Sequence, residues 1–299
     1  MINVLITGSQ GQLGQALTQR LQDYQVAGQR VNLLALDRDG LDITDRAQVL
    51  NCVTEFAPQI IINAAAYTAV DKAESEVELA EAVNVKASQY LAEAATLVGA
   101  VLLHVSTDYV FSGDSEQAYI ETDMPAPQSI YGVTKLAGEK LIAAHCDKHI
   151  ILRTAWVFGE AGNNFVKTML RLAQTRDTLG IVADQFGGPT YAGDIADALI
   201  RIMEQVSTEQ VNHWGVYHFS GLPYVSWYEF ADTIFKQAHQ QGLLAQCPAL
   251  NALTTAQYPT SAKRPANSRL DCSKIAQTFA IQPSDWQQAL QELQAYQSK

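Results

Sequence analysis

The sequence is poor in positive charge and has no long hydrophobic run. Lysine and arginine number 20 against 31 aspartates and glutamates, which gives 299 residues a formal charge of −11. Because nucleic-acid binding needs clustered basic side chains, this balance argues against a nucleic-acid partner. No apolar run is long enough to span a bilayer, and the chain opens with Met1-Ile2-Asn3-Val4 rather than with a basic leader. We therefore expect a cytoplasmic protein without a membrane partner.

Cysteine is also scarce. The four cysteines have no Cys-x-x-Cys spacing, which argues against a zinc ribbon or a redox dithiol and predicts buried, reduced thiols: Cys52, Cys146, Cys247 and Cys272. His145 and His149 lie four apart on a predicted helix, but no third ligand lies near them in the sequence. We predict no metal site from these residues.

Apolar residues, by contrast, are plentiful at 47% of the chain, with 17% charged. Short apolar runs alternate with longer amphipathic stretches, which predicts strand–helix–strand units and a parallel sheet. One amphipathic stretch covers residues 79–98 and ends at Gly99, a typical helix C-cap. The predicted strands are residues 3–7, 31–36, 60–63, 101–106, 150–153 and 216–219.

The alternation weakens after about residue 158, where glycines and prolines such as Gly187-Gly188-Pro189 divide shorter segments. No internal repeat or flexible linker stands out. We therefore predict a cofactor-binding sheet domain over residues 1–158, to which residues 194–220 return. The remainder of residues 159–299 would form a substrate-binding lobe interwoven with it.

The first predicted strand ends in a glycine-rich turn, Thr7-Gly8-Ser9-Gln10-Gly11-Gln12-Leu13-Gly14, that leads directly into a helix. Such glycines permit a tight turn and a close approach of the backbone to a pyrophosphate at the helix N-terminus. The next strand ends at Asp37, which suits the ribose hydroxyls of NADH, whereas the adjacent Arg38 suits the 2′-phosphate of NADPH. The pattern predicts an α/β fold, a Rossmann-type doubly wound parallel sheet, and leaves the choice of cofactor open.

A second set of polar residues points to proton transfer. Ser106-Thr107-Asp108 follows a predicted strand and so lies at the carboxyl edge of the sheet. Tyr131 and Lys135 lie one helical turn apart, so we expect the ammonium group to lower the pKa of the phenol. A phenol tuned in this way exchanges a proton with a substrate oxygen, and Thr107 donates a second hydrogen bond to that oxygen.

Together these motifs resemble the extended short-chain dehydrogenase/reductase family, and within it a branch of reductases that act on dTDP-linked sugars. The resemblance spans nearly the whole chain, and its last three segments are typical of that branch. The segments are residues 63–74, 106–111, 131–140, 153–158, 163–165, 184–190 and 264–270.

The resemblance implies that NADPH or NADH reduces the C4 keto group of dTDP-4-dehydro-6-deoxy-L-mannose, giving dTDP-L-rhamnose. It implies that Tyr131 is the proton donor, that Lys135 holds the nicotinamide ribose and tunes Tyr131, and that Thr107 assists at the carbonyl. Asp108 and Trp156 would contact the sugar. The positions that match the family's cofactor contacts are Gly11, Gln12, Leu13, Asp37, Asp42, Ile43, Ala66, Tyr67 and Thr68.

Several of these residues also fit simpler roles. Leu13 and Ile43 fit a packing role, and Trp156 fits a core aromatic because it follows a buried strand. Arg264 and Arg269 are candidates for the substrate diphosphate, since guanidinium groups bind phosphate bidentately, but each also fits a surface ion pair.

The chain departs from the family at one point. Some members dimerise through magnesium held by glutamates, one just after the glycine turn and one after the Gly-Pro-Thr segment. Here these positions are Ala16 and Gly193, whose side chains cannot bind a cation. We therefore expect a monomer or a weak homodimer.

Two other functions fit the same residues. A nucleotide-sugar epimerase or dehydratase uses the same tyrosine and lysine with a retained cofactor. The resemblance also includes non-catalytic regulatory subunits of the methionine adenosyltransferase type, which share the fold and bind dinucleotide. The presence of Thr107, Tyr131 and Lys135 together favours an enzyme, because binding alone does not require a proton-transfer set.

Overall fold

The structure is a computed structural model that describes residues 1–208 and 213–297. Its strands are β1 (Ile2–Thr7), β2 (Gln25–Val26), β3 (Gln29–Leu36), β4 (Ile60–Asn63), β5 (Val101–Thr107), β6 (His149–Thr154), β7 (Val157–Phe158), β8 (Thr178–Val182), β9 (Phe186–Gly187), β10 (Thr190–Tyr191), β11 (Gly215–His218), β12 (Val225–Ser226), β13 (Ala249–Leu253) and β14 (Asn267–Ser268). Its α-helices are α1 (Gln12–Leu21), α2 (Arg46–Phe56), α3 (Val70–Ala73), α4 (Val77–Glu81), α5 (Ala87–Val98), α6 (Ile130–His145), α7 (Phe165–Ala173), α8 (Ala192–Thr208), α9 (Trp227–Gln240), α10 (Ser273–Phe279) and α11 (Trp286–Ala289).

The main sheet has seven strands in the order β11-β6-β5-β4-β1-β3-β2. All neighbours run parallel except β2, which pairs antiparallel with β3. The six strands predicted from apolar runs all lie in this sheet, which confirms the predicted doubly wound parallel fold. Because the chain passes from β3 across β1 to β4, the direction of winding reverses beside β1, and ligands of such folds bind at this switch point.

Helices cover both faces of the sheet because its central strands are apolar on both sides. In β4, Ile60 and Ile62 face one layer and Ile61 faces the other. Helices α1, α8 and α10 pack on the first face, and α2, α5 and α6 pack on the second.

A third apolar cluster lies in the C-terminal part of the chain. It joins α7, β8, α9 and α11 around buried aromatic and aliphatic side chains such as Phe230, Trp286 and Met169. Helix α8 and strand β11 belong instead to the main sheet layer. The domain boundaries given above stay a prediction.

The helix predicted over residues 79–98 is interrupted. A turn of π-helix, Ala82–Lys86, separates α4 from α5, and Gly99 ends α5 in a left-handed conformation with φ 73°, as predicted. The wider turn directs the buried Asn84 toward residue 67, where its side chain bonds the backbone N–H of Tyr67 at 2.9 Å and the carbonyl at 3.2 Å. π-turns of this kind often occur at functional sites.

Three smaller predictions need correction or comment. His145 and His149 do not share a helix, because α6 ends at His145 and His149 begins β6. Cys247 is exposed and Cys52 is half-buried, so only Cys146 and Cys272 are buried thiols as predicted. Within the described residues, no helix is both long and apolar enough to cross a membrane.

Candidate active site

A cavity of about 890 Å³ opens along the carboxyl edge of the main sheet, beside the switch point. It extends from the glycine turn to the ends of β5 and β6. The predicted site residues that line it are Gly8, Gly11, Gln12, Leu13, Asp37, Arg38, Asp42, Ile43, Ala66, Tyr67, Thr68, Thr107, Asp108, Tyr131, Lys135 and Trp156.

Glycine is required at two positions of the turn. Gly8 has φ +75°, and a Cβ there would lie 2.7 Å from the backbone nitrogen of Ala65. A Cβ on Gly14 would lie 2.1 Å from the Gly8 carbonyl oxygen, so Gly14 serves the close packing of α1 rather than the cavity wall. Gly11 is the N-cap of α1, which leaves the N–H groups of the first turn facing the cavity end. The turn therefore fits a dinucleotide pyrophosphate.

Asp37 and Arg38, the two side chains that would discriminate between NADH and NADPH, both follow the end of β3. One oxygen of Asp37 accepts hydrogen bonds from the N–H groups of Asp39 at 3.1 Å and Gly40 at 3.0 Å, which fixes the carboxylate at the cavity wall. Arg38 lines the same wall and is exposed. Hydrogen bonds from Thr44 lower the pKa of the adjacent Asp42. The wall thus fits an adenine ribose with or without a 2′-phosphate.

The three predicted catalytic side chains lie together in the other half of the cavity. Thr107 ends β5, and Tyr131 and Lys135 lie in the first turns of α6. Ser129 caps this helix by accepting a hydrogen bond from the N–H of Gly132 at 3.2 Å. All three side chains are buried.

The pKa shift of Tyr131, in the Tyr131/Lys135 pair, differs from the prediction. Burial raises the pKa of Tyr131, with the neighbouring Thr107 hydroxyl acting in the opposite direction. Nζ of Lys135 donates to the carbonyl oxygen of Val105 at 2.7 Å. Burial in turn lowers the pKa of Lys135 to about 8, against the opposing effect of Glu139. The net shift of the Tyr131 pKa is thus upward, opposite to the predicted lowering, and the role of Lys135 in tuning Tyr131 stays a prediction.

Asp108 is a buried carboxyl group in the wall beside Thr107. Burial raises its pKa to about 6, although the side chains of Ser268 and then Thr107 act in the opposite direction. The hydroxyl of Thr107 donates to Oδ1 of Asp108 at 2.9 Å and accepts from the N–H of Tyr109 at 3.2 Å. Oδ2 has no hydrogen-bond partner among the described residues. A buried acceptor of this kind suits a hydroxyl group of a bound sugar.

Trp156 is half-buried and reaches the cavity in a constrained conformation. Its φ is 51°, and its ring stacks on that of Trp227 with centroids 3.6 Å apart and planes within 11°. A Cβ on Gly187 would lie 2.6 Å from the indole, so glycine is needed behind it. The ring packs against the C-terminal cluster and also lines the cavity, and its contact with the sugar stays a prediction.

The two predicted phosphate ligands occupy different places, and neither lines the cavity itself. Arg264 pairs with Asp71 at 2.6 Å and donates to the hydroxyl of Tyr109, a cavity residue, at 3.2 Å. Arg269 donates to Oδ1 of Asn267 at 2.8 Å and to the carbonyl oxygen of Glu116 at 2.7 Å. Only Arg264 lies beside the cavity wall, and both phosphate assignments stay predictions.

Some residues of the site were not foreseen. Tyr109 and Thr154 line the cavity, and Nε2 of His104 lies 3.2 Å from Nζ of Lys135. A sequence signal existed for His104, because a histidine interrupts an otherwise apolar predicted strand. Thr154 gave no such signal, since it reaches the cavity only through its pairing beside Thr107 in the sheet.

The two positions that the resemblance associates with magnesium, Ala16 and Gly193, do not fit the ion here. Gly193 has no ligating side chain, and a Cβ on it would lie 2.5 Å from the Arg20 guanidinium and 2.2 Å from the Tyr191 ring. The same guanidinium pairs with Asp197 at 2.7 Å. A cation already fills this place, and Mg²⁺ requires oxygen ligands. Within residues 1–208 and 213–297, no cluster of three or more His, Cys, Asp or Glu side chains could hold a metal.

The chain matches known proteins along its whole length. A family model described as the RmlD substrate binding domain matches residues 2–298. A dTDP-4-dehydrorhamnose reductase of Aggregatibacter actinomycetemcomitans is 55% identical over 296 residues, covering 99% of both chains. Two crystal structures of such reductases are each 37% identical and cover 97% of this chain and 98% of theirs. That from Clostridium acetobutylicum has a TM-score of 0.88, and that from Bacillus anthracis, solved in complex with NADP, has 0.86. The chain therefore belongs to the RmlD family, that of the dTDP-4-dehydrorhamnose reductases, which confirms the reductase branch indicated by its sequence.

Proposed function

We propose that this protein reduces the C4 keto group of dTDP-4-dehydro-6-deoxy-L-mannose to give dTDP-L-rhamnose, with NADPH or NADH as the hydride source. One observation carries the proposal: Thr107, Tyr131 and Lys135 line the same cavity as the glycine turn. A dinucleotide that places its pyrophosphate at the turn has its nicotinamide end directed toward these side chains.

Tyr131 is the proton donor in this proposal. A reduced nicotinamide supplies hydride to the carbonyl carbon, and the carbonyl oxygen then needs a proton. The raised pKa of Tyr131 keeps its phenol protonated at neutral pH, which suits a donor in the direction of reduction. Thr107 assists by a hydrogen bond to the same oxygen as negative charge develops there.

Lys135, Asp108 and Trp156 complete the proposed site. Lys135, which is among the residues that line the cavity, holds the nicotinamide ribose through its amine group. Oδ2 of Asp108, which has no hydrogen-bond partner within residues 1–208 and 213–297, accepts a hydrogen bond from a sugar hydroxyl, and the Trp156 ring packs against the sugar. Arg264 binds the diphosphate from its place next to Tyr109, and Arg269 remains the second candidate.

We further propose that the enzyme works in the cytoplasm as a monomer or weak homodimer, without nucleic acid or magnesium. The net charge of −11 and the Arg20 guanidinium beside Gly193 support this. Sedimentation with Mg²⁺ and then with a chelator tests it, because a metal-bridged dimer would dissociate on chelation whereas this protein should not change.

Following the nicotinamide absorbance with dTDP-4-dehydrorhamnose, for NADH and NADPH in turn, tests the reaction. We expect many turnovers of added cofactor, with dTDP-L-rhamnose as the product. Tightly bound NAD⁺ without net consumption of NADH would favour the epimerase or dehydratase alternative. Copurification with an adenosyltransferase and no reductase activity would favour the regulatory one. The names of the relatives and the cofactor in the Bacillus anthracis structure support the reductase.

A further inference from the structure

A line of buried polar side chains crosses the main sheet and ends at Lys135. The Thr7 hydroxyl donates to Oδ1 of Asn63 at 2.7 Å, and Nδ2 of Asn63 lies 2.9 Å from Nδ1 of His104. Nε2 of His104 lies 3.2 Å from Nζ of Lys135. Each of the four side chains is at most 2% exposed. Side chains from β1, β4, β5 and α6 thus form one hydrogen-bonded chain without access to water.

The backbone fixes the orientation of the Asn63 amide. Oδ1 of Asn63 also faces the N–H of Ala65 at 3.1 Å. A backbone N–H only donates, so the atom facing it must be the oxygen. The NH₂ group of Asn63 therefore points at His104 and donates to its Nδ1.

This orientation decides the protonation of His104. A ring nitrogen that accepts a hydrogen bond carries no hydrogen, so Nδ1 is bare and His104 is not an imidazolium ion. The neutral ring then carries its hydrogen on Nε2, the atom that faces Lys135. A free amine can accept a hydrogen bond from this N–H group, whereas an ammonium group has no lone pair with which to do so.

We propose that His104 is a positioning residue for Lys135: its Nε2–H donates to the lysine nitrogen, favours the free amine and fixes it beside the Val105 carbonyl. The relevance of this contact to catalysis rests on the proposed reductase function. The geometry of the contact does not depend on that function.

Other groups around His104 and Lys135 also shift the pKa values of these two residues, some upward and some downward. Burial lowers the pKa of Lys135 to about 8, in agreement with the proposal. Glu139, on the same helix, acts in the opposite direction, but Arg153 of β6 engages its carboxylate at 3.0 and 2.6 Å. Burial is the main cause that lowers the pKa of His104 and keeps the ring neutral; Lys135, in its ammonium form, and then His149 of β6 act in the same direction.

The other buried histidines serve as references. Nδ1 of His218 lies 3.0 Å from the carbonyl oxygen of Tyr119, and Nδ1 of His149 faces the carbonyl of Cys146. A carbonyl only accepts, so these rings carry a hydrogen on Nδ1. The opposite tautomer is thus expected at His104 within the same protein.

Nitrogen-15 NMR of histidine-labelled, cofactor-free protein tests the tautomer directly. We expect His104 to give the spectrum of a neutral ring with hydrogen on Nε2, unchanged through neutral pH, and His218 to give a ring with hydrogen on Nδ1. A His104 ring that carries hydrogen on Nδ1, or that titrates near neutral pH, overturns the proposal.

The effect on Lys135 is measured by carbon-13 NMR of lysine Cε against pH, with the Lys135 signal identified by its loss in Lys135→Met. In Asn63→Asp, the new carboxylate accepts a hydrogen from Nδ1, so Nε2 becomes an acceptor for the ammonium group. In His104→Gln, the amide oxygen can face the ammonium group instead. We expect the Lys135 pKa to rise by about one unit or more in each variant.

His218→Gln is the matched control, since it removes another buried histidine away from Lys135 and should leave the Lys135 titration within about half a unit of wild type. An unchanged Lys135 pKa in the folded His104 and Asn63 variants, or an equal rise in the control, overturns the proposal. If one variant does not fold, the other decides. An inactive wild-type protein that shows the expected spectra would reject the reductase function and leave this inference standing.

Discussion

Arg264 and Asp71 form an ion pair at the edge of the cavity, with Nη2 of the arginine 2.6 Å from Oδ2 of the aspartate. The pair connects the segment before β14 to helix α3. The second guanidinium nitrogen of Arg264 donates to the hydroxyl of Tyr109, whose ring lies edge-on to that of Tyr131 with centroids 5.4 Å apart. A phosphate ligand at Arg264 would therefore lie within reach of the proton-transfer groups.

Arg264→Met tests whether this arginine binds the substrate diphosphate. We expect KM for the dTDP-linked sugar to rise by about tenfold or more, since a charged hydrogen bond contributes about 1.5–3 kcal/mol, with a smaller change in kcat. Steady-state kinetics at saturating cofactor measure this. Arg269→Met is the control and should change KM less. A larger rise in KM for Arg269→Met would show that Arg269, and not Arg264, binds the substrate diphosphate.

Lys135 should make the stability of the cofactor-free protein depend on alkaline pH. Its pKa is about 8 in the folded protein, below the usual 10.5, so between these values the unfolded chain binds more protons. The free energy of unfolding contributed by this group therefore rises as the pH rises through this interval. Urea unfolding at several pH values should show this rise in wild type and in Lys140→Met, an exposed control, but not in Lys135→Met. A rise of equal size in Lys135→Met would contradict the assignment.

Asp108 should make the stability of the protein depend on acidic pH, in the direction opposite to the effect of Lys135. Its pKa of about 6 lies above the usual 3.8, so between these values the folded protein binds more protons. Stability contributed by this group falls as the pH rises through the interval. Asp108→Asn should show a smaller fall, because the half-buried Glu121 and Asp194 also have raised pKa values, and should lose most reductase activity. The exposed control Asp114→Asn should resemble wild type in both. A fall of undiminished size in Asp108→Asn would contradict the assignment to Asp108.

Gly187→Ala tests the placement of Trp156. The new methyl group would lie 2.6 Å from the indole and must displace it, so we expect a higher KM for the sugar nucleotide while the Kd for NADPH stays the same. Gly180→Ala is a matched control, because its Cβ would meet the Leu253 side chain at 2.7 Å, in the β8–β13 pair outside the cavity wall. If both variants raise KM equally, general loosening of the lobe explains the effect.

Local patterns in the sequence predicted the parts of the fold that depend on neighbouring residues. The glycine turn before α1, the apolar strands and the Gly99 helix end all follow from residues close together in the chain. The short strands β7, β9, β10, β12 and β14 were missed, because each pairs over only two residues and is set by distant partners.

The sequence predicted which residues form the site better than it predicted the contacts and pKa values of those residues. Tyr131 and Lys135 were identified from their spacing, but the contact of Lys135 with His104 joins residues 31 positions apart. The shift of the Tyr131 pKa depends on burial, which an isolated helical turn does not show. The conformation of Trp156, with φ 51°, is likewise imposed by its stacking on Trp227 and by the space at Gly187.

The central claim is that Tyr131 gives the proton to the substrate oxygen. The most direct test is the single-turnover rate of NADPH oxidation with dTDP-4-dehydrorhamnose in Tyr131→Phe, after folding and NADPH binding are shown to be intact. We predict a rate lower by about 10²–10⁴-fold, the usual contribution of a positioned acid. A rate within about tenfold of wild type would contradict the claim and assign the proton to another group.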